Sequence, residues 1–124
     1  MSQDIISDCL NRVMNAKKAN KTEIETAHCS RFLIEILKLM KEMGYLDYHK
    51  EDKILKVEIK EQLNECRAIK PRYTVSADEI DRYVRRFLPA KDFGFLIIST
   101  SRGLMTHETA LKKNIGGILI AYIF

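Results

Sequence analysis

The chain has no tryptophan, two prolines and five glycines in 124 residues. That scarcity excludes collagen-like and low-complexity architectures, which need proline and glycine in bulk. Its three cysteines, Cys9, Cys29 and Cys66, fit no zinc-ligand spacing, and an odd number does not make a disulfide framework. They read as reduced thiols serving as small apolar residues of a cytosolic protein. No apolar run approaches the ~20 residues that a membrane-spanning helix requires. Asp4 and Asp8 interrupt the N-terminal stretch where a signal peptide would place its apolar segment. The expectation is a soluble, cytoplasmic protein with no membrane partner.

Motifs of chemistry are equally scarce. Ser99, Ser101, His107, Glu108 and Asp92 supply the residue types of a hydrolase. The G-x-S-x-G elbow is missing, however, because residue 97 is Ile. Thr106 instead reads as a helix cap and Glu108 as a favourable first-turn acid. His28, His49 and His107 lie on separate segments with no i, i+4 pair, and read as surface or half-buried side chains. No G-x-x-x-x-G-K-[ST] loop is present, and Gly116-Gly117 reads as a turn. No catalytic residue, metal, cofactor or small-molecule substrate is expected.

What the chain does have is enough apolar residue for a core, 46% hydrophobic, and a high charge density of 31% with a net of +4. Residues 1–60 carry 11 Lys+Arg against 10 Asp+Glu, and residues 61–124 carry 10 against 7. The second half has the stronger claim to a polyanionic partner.

The hydrophobic periods define the elements. Ile5, Ile6, Cys9, Leu10, Val13 and Met14 predict an amphipathic helix over residues 3–15. A basic loop with Lys17, Lys18 and Lys21 follows, then a short strand near 22–28. Phe32 to Met43 predicts a second helix beginning at Ser30 and stopped by Gly44. Residues 45–49 and 54–59 form a hairpin across Lys50–Lys53, where Leu55, Val57 and Ile59 alternate with Lys56, Glu58 and Lys60. Residues 61–67, polar but not Gly/Ser-rich, read as a stiff, packed junction between subdomains 1–62 and 63–124.

In the second half, Ala68–Tyr73 is extended at Pro71. Ser76 and Glu79 have capping-box spacing ahead of a helix burying Ile80, Tyr83, Val84 and Phe87. Residues 93–99 are an apolar strand, Thr106 opens a helix to Lys113, and residues 118–124 form a final strand. The predicted class is α+β: two small α/β subdomains packed against each other, α-β-α-β-β then β-α-β-α-β.

The most informative segment is the loop Ser99-Thr100-Ser101-Arg102-Gly103, which by residue type alone reads as an ordinary polar β-turn or as a nucleic-acid contact. Three small hydroxyl residues can hydrogen-bond base edges and ribose 2′-hydroxyls at close range. Arg102 offers a fork for phosphate or guanine, and Gly103 permits the reversal of the chain. Lys70, Arg72 and Tyr73 add two cations and a ring in a proline-stiffened segment. Lys112 and Lys113 add charge before the double glycine. Arg82, Arg85 and Arg86 alternate with Asp78, Glu79 and Asp81 and read as a solvated, ion-paired face.

These residues also carry a family likeness. Ile98-Ser99-Thr100-Ser101-Arg102-Gly103-Leu104-Met105-Thr106-His107-Glu108 and Gly116-Gly117 resemble the universal small-subunit ribosomal protein eight family. Ile69-Lys70-Pro71-Arg72-Tyr73 and Leu88-Pro89-Ala90-Lys91-Asp92-Phe93-Gly94-Phe95 resemble its archaeal and eukaryotic branch. The N-terminal residues Asp8, Leu10, Arg12 and Asn15, and the stretch Met40–Leu46, are similar to that family as well. The resemblance implies two α/β subdomains and a structural constituent of the small ribosomal subunit. It implies direct binding to the central domain of small-subunit rRNA, organisation of the platform, and neighbouring ribosomal proteins as partners. It implies Ser99, Thr100, Ser101 and Gly103 as core RNA contacts and Lys70, Arg72, Tyr73 and Arg102 as supporting ones. Lys17, Lys18 and Lys21 would be backbone contacts. Ile118 departs from the bacterial pattern, which has glutamate there. An RNA-binding translational regulator or a non-ribosomal interaction module is the alternative.

Overall fold

A computed structural model describes residues 5–27, 30–69, 73–90 and 93–124. The chain divides into two compact units, Met1–Arg67 and Ala68–Phe124.

The first unit opens with helix α1, Ile5–Lys18, whose buried stripe is Ile6, Cys9, Leu10, Val13, Met14 and Ala16. The expectation of a basic loop from residue 15 is corrected here, because Lys17 and Lys18 form the last helical turn. Ala16 extends the buried stripe, and the two cations are favoured at the negative end of the helix dipole. Asn20, at φ 60, turns the chain in the left-handed region. The Lys21 N–H then donates to the Ala16 carbonyl at 2.8 Å, as in a Schellman cap. Strand β1, Glu23–Thr26, follows. Helix α2, Arg31–Glu42, starts where Ser30 Oγ accepts the Leu33 N–H at 3.1 Å and buries Leu33, Ile36, Leu37 and Met40.

Strands β2, Leu46–Glu51, and β3, Ile54–Ile59, form the expected hairpin. Its turn is shorter than the sequence implied: Lys50 and Glu51 pair with Leu55 and Ile54, leaving Asp52 (φ 51) and Lys53 to reverse the chain. The sheet order is β1-β3-β2, antiparallel throughout, so β1 and β2 are its two edges. Leu55, Val57 and Ile59 are buried as their alternation requires. Leu63 and Cys66 are also buried. The Cys66 N–H donates to Met14 Sδ at 3.2 Å, which ties the end of this unit to α1. Burial pushes the Cys66 thiol up to about 12, so it behaves as an apolar group. Cys9 is buried too; Cys29 and His28 lie outside the described residues.

Strand β4, Cys66–Ala68, leads into the second unit, followed by β5, Thr74–Val75. A 3₁₀ turn at Ala77–Glu79 then precedes helix α3, Ile80–Phe87. Ser76 donates both its N–H (3.2 Å) and its Oγ hydroxyl (2.9 Å) to Glu79 Oε1. The predicted capping pair is therefore real, although it opens the 3₁₀ turn. Strand β6, Phe95–Thr100, pairs with β7, Gly103–Thr106. Helix α4, His107–Lys113, and strand β8, Gly117–Ile123, complete the chain. Strands β5 and β7 were not expected; two and four residues are too short for a periodicity to show. The sheet order is β4-β8-β6-β7, with β5 also pairing β8.

One side of this sheet buries Val75, Leu96, Ile98, Met105 and Leu119 with Ile80 and Val84 of α3 and Ala110 of α4. A run of rings lines that core: Tyr73, Tyr83, Phe87, Tyr122 and Phe124, with successive centroids 5.4, 6.4, 5.7 and 6.0 Å apart. The class is α+β, as the hydrophobic periods implied.

Candidate functional site

The segment 99–103 is a β-hairpin end rather than a loop. Ser99 and Thr100 belong to β6 and Gly103 to β7, with Ser99 opposite Leu104 and Thr100 opposite Gly103. Only Ser101 and Arg102 lie between the strands, both exposed. Gly103 has φ +106, a conformation that side-chain-bearing residues rarely adopt, so this reversal needs glycine.

The three hydroxyls have different surroundings. Thr100 Oγ1 donates to the Gly103 carbonyl at 2.9 Å and accepts the Arg102 N–H at 3.1 Å. It is engaged on both sides of the turn and braces it. Ser99 aligns across the sheet with Ile118, which aligns with Thr74. Residues directly opposite in an antiparallel pair share a face. Thr74, Ile118, Ser99 and Leu104 therefore form a row on the side away from Ile98, Met105 and Leu119. Ser101 is the hydroxyl that projects from the tip together with Arg102. The tip thus combines a fixed backbone, one solvated hydroxyl and one guanidinium, a set that donates to phosphates, 2′-hydroxyls and base edges.

Gly116 and Gly117 do more than make a turn. Asn114, at φ 53, already closes α4, and the Ile115 N–H donates to the Ala110 carbonyl at 3.0 Å. A β-carbon on Gly117 would overlap the Ser99 carbonyl oxygen, and one on Gly116 would overlap that of Val75. The double glycine lets β8 lie against β6 and β5 at the edge of the hairpin.

Tyr73 is brought close in part. Its carbonyl accepts the Leu119 N–H at 2.9 Å, so its backbone is one strand from β8 and two from β6. Its ring, however, is on the core side, 5.4 Å from Tyr83, with the Arg86 guanidinium 5.3 Å above it. Ser99 faces the other way. Lys70 and Arg72 lie outside the described residues, as do Lys91 and Asp92. Lys112 and Lys113 are exposed in the last turn of α4.

In the first unit, Lys17 is half-buried and Lys18 and Lys21 are exposed. Lys21 lines a cleft of about 540 Å³ between α1 and β1, together with Arg12, Asn15, Ala16 and Glu23. Arg12 was not among the predicted contacts. Its guanidinium donates to the Glu25 carbonyl at 3.2 Å, which fixes a cation across that cleft. A lone arginine on a helix gives no such signal in sequence.

His107 departs from the expected surface or half-buried position, being only 3% exposed. Its Nδ1 accepts the Leu96 N–H at 3.1 Å, so it completes the buried backbone hydrogen bonding of β6. Burial holds its pKa below the ordinary value, with Glu108 and Asp81 opposing that shift. Thr106 caps α4 as expected, accepting the Thr109 N–H at 3.5 Å. Among the described residues no group of three His, Cys, Asp or Glu side chains is placed to hold a metal ion.

The chain is thus a two-unit α+β protein whose second unit carries a braced hydroxyl–arginine hairpin. Residues 4–124 match the family described as Ribosomal protein S8. The chain is 37% identical to the "Small ribosomal subunit protein uS8" of Nanoarchaeum equitans over 129 aligned positions covering all of both chains. It is 36% identical to the protein of that name from Archaeoglobus fulgidus over 130 positions, again covering both completely. The chain belongs to the ribosomal protein S8 family.

Proposed function

We propose that this chain is a structural constituent of the small ribosomal subunit. In this reading it works in the cytoplasm within that subunit, beside other ribosomal proteins, and binds the central domain of small-subunit rRNA through the hairpin end at Ser99–Gly103. The observation that supports the reading best is the tip itself. Thr100 bonds the backbone of Gly103 and Arg102, so the turn that carries Ser101 and Arg102 loses less backbone freedom on binding. Regular A-form RNA offers little direct sequence readout, so a small rigid tip suits an irregular helix approached through its minor groove. Arg102 and Lys21 then act on phosphates, while Ser101 and the Ser99 row meet the irregular part. Lys70 and Arg72 are further contacts of the second unit in this reading, and Lys17 and Lys18 are backbone contacts of the first; the Tyr73 ring, packed on Tyr83, takes part only through its backbone. No turnover is assigned to the chain: the imidazole nearest in sequence to the serines is buried with its Nδ1 occupied.

Co-sedimentation tests the reading. A tagged chain expressed in its source cells is expected to track the small subunit at one copy per particle through a high-salt gradient. Recovery only in the ribosome-free fractions would overturn it.

A further inference from the structure

The other edge of the first unit's sheet carries a second basic surface. A groove of about 460 Å³ runs between α2 and edge strand β2, lined by Arg31, Ile34, Glu35 and Lys38 from the helix and Tyr48 and Lys50 from the strand. Arg31 and Lys38 are seven residues apart, about 10 Å along one flank of the helix. Tyr48 and Lys50 share a face of β2 by strand alternation.

The charge in this groove is not internally balanced. Among the described residues no carboxylate lies within 4.0 Å of Arg31, Lys38 or Lys50. The acids of β2 are engaged elsewhere. Asp47 accepts the Tyr48 N–H at 2.7 Å and pairs with Lys41 at 3.2 Å, while Glu51 pairs with Lys56 at 4.0 Å. Lys41 also lies over the Tyr48 ring, 5.6 Å from its centroid, so that ring already holds a cation. Glu35 is left alone against three cations. The apolar lining is Ile34 and the flank of one ring. A protein partner needs a buried apolar anchor, and this lining offers little apolar surface to receive one. A phosphate backbone needs spaced, solvated cations.

We propose that the α2–β2 groove is a second RNA-backbone site, in which Arg31, Lys38 and Lys50 neutralise phosphates. Edges β1 and β2 lie on opposite sides of the central strand β3, so the two sets of cations sit at opposite edges of one sheet. The first unit then contacts RNA from both edges of its sheet. The choice of RNA over other polyanions rests on the ribosomal reading above; the surplus of positive charge does not.

The test uses the full chain and a short mixed-sequence RNA duplex, followed by amide-resolved NMR. Shifts at Arg31, Lys38, Tyr48 and Lys50 are expected, separate from any at Ser99–Gly103. The triple variant R31A/K38A/K50A, whose sites are all exposed, is expected to keep its far-ultraviolet spectrum. Its plot of log affinity against log salt should be shallower by about 2.7, at about 0.9 for each of the three lost phosphate contacts. No shifts in the groove, or an unchanged salt slope, overturns the site. Equal shifts with poly-glutamate at matched charge assigns the groove to acidic protein and overturns the RNA assignment. Groove shifts without hairpin shifts, when a central-domain rRNA hairpin replaces the duplex, would count against the hairpin reading and leave this one standing.

Discussion

Gly117 packs so closely on Ser99 that a β-carbon would overlap the Ser99 carbonyl oxygen and crowd the Ile98 side chain, whose Cγ2 would be 2.9 Å away. The pair shows what the double glycine does. It is a gap through which β8 reaches the hairpin strand, and the position of Ser99 depends on it. G117A is expected to lower stability by about 1–3 kcal/mol, the usual cost of forcing atoms into a filled site. Because the displaced group is the backbone of Ser99, RNA affinity should fall by more than the stability loss explains at temperatures where the variant is still folded. Urea unfolding beside an RNA titration separates the two, and wild-type values in both would refute this packing role.

Thr100 is a bracing residue. T100V keeps the shape and removes both hydrogen bonds across the turn, at a stability cost of about 0.5–1.5 kcal/mol for partly solvated bonds. Its larger effect is expected on RNA binding, through loosened Arg102 and Gly103, with T100S restoring affinity. Should T100V bind as tightly as the wild type, the brace has no bearing on recognition.

His107 links the second unit to pH. Its pKa in the folded chain is below 6.5 because burial disfavours the imidazolium, with Glu108 and Asp81 opposing the shift. A depressed histidine is neutral in the folded state and takes up its proton on unfolding. Its contribution is therefore complete above pH 6.5 and is lost progressively below it, down to the lowered folded value. Urea midpoints are expected to fall from pH 7.5 to pH 5.5, with the fall reduced in H107Q, which can still accept the Leu96 N–H. An identical fall in H107Q would assign the pH dependence to other groups.

Much of this was legible in sequence because period and capping agree. The α2 stripe and Ser30, the alternation of β3, and Thr106 ahead of α4 all appear where their patterns put them. The end of α1 was misplaced because lysines read as loop by polarity, whereas the helix dipole and a buried Ala16 hold them in the last turn. Strand β7 was hidden because four residues with Gly103 and a capping threonine carry no alternation of their own; β6 supplies their pairing. The hydroxyl run was visible, but its division of labour was not. Only the register separates the bracing Thr100 from the projecting Ser101, and only tertiary packing turns the Tyr73 ring onto Tyr83 and Arg86. Burial of His107 likewise depends on β6 lying beside α4, a relation no local pattern encodes.

In the proposed function the tip at Ser101 and Arg102 recognises an irregular rRNA helix. The direct measurement is a titration of the full chain, at one fixed salt concentration, against a hairpin from the central domain of small-subunit rRNA and against a regular duplex of equal length. The wild type should prefer the hairpin. S101A should lose about 1–3 kcal/mol of that preference, the cost of an unmade buried hydrogen bond, while its affinity for the duplex is unchanged. Equal affinity of the wild type for both RNAs, or a preference that S101A and R102A leave intact, would contradict the account.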